Sequence, residues 1–161
     1  SDFATSVYYA SKYHGAESID TSSSYYRLGD CFLAQGNVES SLALFDKVVD
    51  IWYKYLSALH AGTNKEEQIL SEEILSDGHD QLTRVLNSRV QLLGENHIAV
   101  GEAAYTLGLF DYFLLGSSRV AEELVQRALT IYVDQHGEQN ASTQHVNAVL
   151  SLIRMDRDLG S

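Results

Sequence analysis

A spaced pattern of large and small residues occurs twice in this chain. An aromatic residue is followed by a Leu/Gly pair, a second aromatic one turn on, a Gly at a break, and a small residue that leads into another apolar helix. The first copy reads Tyr25, Leu28-Gly29, Phe32, Gly36, Ser41, Phe45 and Val48. The second reads Tyr105, Gly108-Leu109, Tyr112, Gly116, Ala121, Val125 and Ala128, each position 80 residues after its counterpart. Apolar residues three and four apart place a stripe on each of two helices, and the Gly between them lets the chain turn. A helix pair of this kind cannot bury its apolar face alone, so the pattern constrains the chain to stack its hairpins.

The order is similar to that of the tetratricopeptide (TPR) repeat, W-x2-L-G-x2-Y followed by A-x3-F. This resemblance implies an all-α fold, a TPR-like helical-hairpin solenoid of about seven to eight antiparallel helices running over residues 1–161. Its exposed curved surface is expected to hold another protein, which is a binding function rather than catalysis.

Apolar spacing and turn residues predict helices over 2–14, 19–35, 38–61, 64–76, 78–93, 98–115, 118–136 and 141–158. Three segments share a linking signature around Gly15, Gly94 and Gly137, where Ser18 or Asp20, Asn96, and Asn140 or Ser142 can cap the next helix. The interval from Gly94 to Gly137 is 43 residues, longer than a standard TPR and similar to the repeats of kinesin light chains. The chain has no proline, so Tyr53 stands where a TPR helix ends on Pro and the 38–61 helix runs on. Only Ile69, Leu70, Ile74 and Leu75 are apolar in the 64–76 segment, which is expected to be the most weakly held. Phe3, Val7 and Tyr8 mark an amphipathic start with no partner helix before it, so the chain reads as a C-terminal fragment of a longer array.

The net charge of -11 argues against nucleic acid or anionic membrane as the main partner, since both would be repelled, and leaves a basic or neutral protein. A single cysteine, Cys31, builds no disulfide framework and suits a reducing interior. Neither a signal-like start nor an apolar run of membrane-spanning length is visible. None of the six histidines pairs at i, i+4 with another or with Cys31, so no metal or other cofactor is expected. Glu66-Glu67 and Glu72-Glu73 read as a solvated helix face, and Ser22-Ser23-Ser24 lacks a nucleophile elbow. No phosphate-loop glycine pattern occurs, and no catalytic residue is expected.

Tyr25, Tyr105 and Tyr112 occupy packing positions of the repeat. One position on, TPR helices face the concave groove, and there the chain carries Tyr26, Asp30 and Leu33 in the first copy and Thr106, Phe110 and Phe113 in the second. These six are the candidate partner-binding residues. The alternative is that the 38–61 helix or the terminal helix fills that groove, which would make them core. A carboxylate clamp of the chaperone-binding kind is excluded, because Tyr26, Asp30, Thr106 and Phe110 offer no cation.

A closer likeness lies in Val7-Tyr8-Tyr9-Ala10-Ser11, His14 through Ser22, Tyr25-Tyr26-Arg27-Leu28 and above all Lys47-Val48-Val49-Asp50-Ile51-Trp52-Tyr53-Lys54-Tyr55-Leu56. This resembles the C-terminal TPR region of axonemal proteins that begin with a MYND zinc finger. The resemblance implies a ciliary or flagellar protein of the cytoplasmic cytoskeleton. Its implied partners are another TPR-containing axonemal subunit and the heavy-chain complex of a single-headed inner-arm dynein. The finger itself is absent from this sequence, so no zinc site carries over. A kinesin-light-chain-like cargo adaptor is the alternative within the same class, and an all-helical metal-dependent regulator is disfavoured by the missing ligand sets.

Overall fold

The computed structural model describes residues 18–62 and 70–160. Among them the fold is all-α, with six helices and no strand: α1 (Ile19–Ala34), α2 (Val38–Ala61), α3 (Glu72–Leu93), α4 (Ile98–Phe113), α5 (Ser118–His136) and α6 (Ala141–Leu159). The chain divides into two compact units after Leu82, within α3. The helix expected over 2–14 lies outside the described residues, as do residues 64–69 of the expected 64–76 segment.

In the first unit α1 packs along α2. Ser18 starts α1 by accepting the Asp20 N–H at 3.2 Å, and Asn37 starts α2 by accepting the Ser40 N–H at 3.3 Å. Phe45, Val48, Val49, Ile51, Trp52 and Leu56 recur at helical spacing along α2 and are all buried. Each such side chain contributes about 1.5–3 kcal/mol when fully removed from water. With Tyr53 in place of a helix breaker, α2 continues for 24 residues, roughly 36 Å.

The expected separation of a 64–76 helix from a 78–93 helix is corrected. One helix runs from Glu72 through Leu93, and Ser71 accepts the Ile74 N–H at 3.2 Å near its start. Gly78 does not break it. A Cβ on Gly78 would come within 2.5 Å of the Trp52 ring, so this residue is small because an indole lies against the helix there. Gln81, also buried, reaches the same helix pair, donating to Ser23 Oγ at 2.8 Å.

In the second unit α4 packs along α5, and α5 along α6. From Val100 to Asp111 every residue of α4 except Glu102 is buried. This helix is therefore enclosed on all sides, whereas α1 keeps Arg27, Asp30 and Ala34 exposed. From α3, the buried Arg89 donates from Nη1 to the Ala99 carbonyl at 2.7 Å in the first turn of α4.

Candidate functional site

The two hairpins follow one ground plan, and their glycines fix how they correspond. Added to Gly29, a Cβ would meet the Phe45 ring at 2.8 Å and Leu44 Cβ at 3.3 Å; added to Gly108, it would meet Val125 Cγ2 at 2.7 Å and Leu124 Cβ at 3.3 Å. Phe45 and Leu44 lie 80 residues before Val125 and Leu124, but Gly29 lies 79 before Gly108. The caps agree: Ser18 Oγ accepts from the amide two residues on, and His97, 79 residues later, uses Nδ1 to accept the Ala99 N–H at 3.0 Å. His97, rather than the expected Asn96, is thus the cap, with a bare Nδ1.

The extra residue lies in the turn. Asn37 N–H donates to the Phe32 carbonyl, and Ser117 N–H donates to the Asp111 carbonyl, both at 2.9 Å, so the second turn spans one residue more. Gly36 and Gly116 hold the left-handed conformation that each turn needs, at φ 79° and 65°. The uniform offset of 80 is therefore corrected to 79 along the first helix of each pair and 80 along the second.

One residue is about 100° of helix rotation, and this changes what the candidate residues do. Tyr112 pairs by position with Leu33, while the packing place of Phe32 is taken by the buried Asp111. Tyr112 is accordingly half-buried, not a core aromatic. Its hydroxyl donates to Asp156 Oδ2 at 2.8 Å and its ring meets Phe113 edge-on at 4.9 Å. Burial, followed by the hydrogen bond to Asp156 and that carboxylate's charge, pushes the Tyr112 phenol up to about 12.

The six expected partner-binding residues differ in burial. Thr106 and Phe110 are buried, and Thr106 spends its hydroxyl on the Glu102 carbonyl at 2.9 Å. Both are interior residues, which corrects their expected place on an open groove. Tyr26 is half-buried and lies flat against Phe45, with ring centroids 5.8 Å apart, so it belongs to the α1–α2 contact. Leu33 and Phe113 are half-buried, and of the six only Asp30 is exposed.

The sequence reading missed the exposed apolar residues. On α6, Leu152, Met155 and Leu159 are 38%, 64% and 84% exposed and share a face at helical spacing. Val146, Val149, Leu150 and Ile153 on its other side are buried. The i, i+3, i+7 spacing of Leu152, Met155 and Leu159 was readable; which of the two stripes would be covered was not. Beside this face Arg154 donates to Gln126 Oε1 at 2.7 Å and lies 3.4 Å from Glu122, and Arg157 bonds Glu122 and Asp158. The guanidiniums next to the stripe are thus already matched by carboxylates.

No group of three or more His, Cys, Asp or Glu gathers among the described residues, and none of their helices is long and apolar enough to cross a membrane. No protein-family model matches the chain.

Proposed function

We propose that this protein is an interaction scaffold, a TPR-like helical-hairpin solenoid that helps assemble or dock single-headed inner-arm dynein on axonemal microtubules. Its partners in this reading are a second TPR-containing subunit and the dynein heavy-chain complex. The observation that carries the scaffold part is the repeated hairpin, in which Gly29 and Gly108 receive equivalent residues of the following helix. Repeating hairpins of this kind present extended surfaces and bind by shape and apolar contact. The axonemal part is supported by the Lys47–Leu56 segment, whose Ile51, Trp52 and Leu56 are buried while Tyr53 and Lys54 stay exposed.

The test is capture of partners from a ciliary extract by this chain. Co-purification of an inner-arm dynein heavy chain with a TPR subunit is the expected result. Retrieval of a kinesin heavy chain instead would favour the cargo-adaptor reading, which the 43-residue spacing of Gly94 and Gly137 supports. Neither motor bound above a heat-unfolded control would overturn both.

A further inference from the structure

Helix α3 is held unequally along its length. Its second part buries Leu82, Val85, Leu86 and Arg89. Its first part has Ile74 and Leu75 only half-buried and leaves Glu72, Glu73, Ser76, Asp77 and Asp80 exposed. What this part does bury is small or polar. Gly78 lies against the Trp52 ring of α2, and the Gln81 side chain reaches α1, where its Nε2 donates to Ser23 Oγ at 2.8 Å and Ser22 Oγ stands 3.4 Å from its Oε1.

The local sequence resists a helix at the same place. Ser76-Asp77-Gly78-His79-Asp80 is a run of five weak helix formers, and Glu73 and Asp77 set like charges one turn apart. Gly78 brings no side chain of its own to the indole, and an amide released from two hydroxyls regains equivalent bonds from water. The helical state of the first part therefore depends on a small contact. A row of apolar side chains supports the second part, and Arg89 there reaches the Ala99 carbonyl as well.

We infer that residues 72–80 form a latch over Trp52, which opens by local unfolding while the remainder of α3 stays helical. Opening bares the indole, 1% exposed when the latch is shut, together with the hydroxyls of Ser22 and Ser23. The hairpin α1–α2 thereby holds an apolar and hydrogen-bonding surface that its own chain covers, available only in the open state. This deepens the scaffold part of the proposed function and does not depend on its axonemal part.

Trp52 is the only tryptophan in the chain, so its indole N–H gives a single signal in hydrogen exchange. After correction for intrinsic rates, the amides of residues 76–80 are expected to exchange at least ~10-fold faster than those of residues 85–90, with the Trp52 indole N–H as weakly protected as the former. Ser76→Ala combined with Asp77→Ala alters two exposed side chains, raises helix propensity and removes the like-charge pair. It should slow exchange of the 76–80 amides and of the indole alike, by roughly 5-fold, and leave residues 85–90 unchanged. Uniform protection along α3 would make it one cooperative helix and overturn the inference. An indole that follows residues 85–90, or a double variant that slows both parts of α3 by the same factor, overturns it too. Failure to capture either motor from ciliary extract would leave the exchange result standing, so the two readings fail separately.

Discussion

The hairpins α1–α2 and α4–α5 differ by a single residue in the turn, and that residue reassigns half of the second hairpin. In the first, α1 runs to Ala34 and Asn37 follows after a short turn. In the second, Leu114-Leu115-Gly116 lengthens the turn, and the helix before it is rotated by about 100° relative to a uniform count. The glycine still finds the same partner residues, because only a residue without a side chain admits that close approach. What the comparison teaches is that the point of closest contact between helices is held, and turn length absorbs the change.

The largest test of this correspondence strikes the contact itself. Gly29→Val and Gly108→Val should each cost about 3 kcal/mol in denaturant unfolding, since the new side chain must displace Phe45 or Val125 in a packed interior. Leu109→Ala at the uniform-count equivalent of Gly29 would instead behave as an ordinary core truncation. A loss below about 1 kcal/mol for either glycine would break the correspondence.

Tyr112 sharpens it next. Tyr112→Phe should cost about 1 kcal/mol near neutral pH by removing the bond to Asp156. A phenol whose folded value is raised from 10 to about 12 holds its proton more tightly when folded, so its contribution is full below pH 10 and is lost as pH rises from 10 towards 12. Stability of the Phe variant should fall less steeply over that alkaline window. Identical pH profiles for the two proteins would show that the hydrogen bond does not form in solution.

His97→Ala should cost about 1 kcal/mol, whereas His97→Ser, which copies Ser18, should cost little, because either a hydroxyl oxygen or a bare Nδ1 accepts the first-turn amide. Thermal unfolding of the two variants measures the difference. Deleting Leu115, which is 44% exposed, should restore the shorter turn at a cost below about 1 kcal/mol. Were that residue part of the helix, its loss would rotate α4 and cost several times more. Smallest of all, Ser41→Ala should raise stability slightly, by under about 1 kcal/mol. Its hydroxyl is buried without a hydrogen bond among the described residues, and the second hairpin already has Ala121 at that place.

Much of this architecture is legible in the chain. Apolar spacing located α1, α2, α4, α5 and α6 to within a residue or two, and the Gly before each linking turn marked where α4 and α6 begin. These are local properties: a stripe of side chains at helical period and a residue tolerant of positive φ act within a few residues of themselves. The candidate site was far less legible. Phe110 and Thr106 were placed on an open face by counting, yet both are interior.

Sequence alone determined the helical class, the hairpin repeat, the long run of α2 through Tyr53 and the acidic character of the chain, because each depends on nearest neighbours or on composition. Tertiary structure decided that Gly78 is a seat for Trp52 and not a break, that Tyr112 leaves the core, that α4 is enclosed on every side, and that the outer stripe of α6 stays open. The physical reason is the same in each case. Whether a small or apolar residue is a break, a contact or a free surface depends on what another helix brings to it, and residues distant along the chain supply that neighbour.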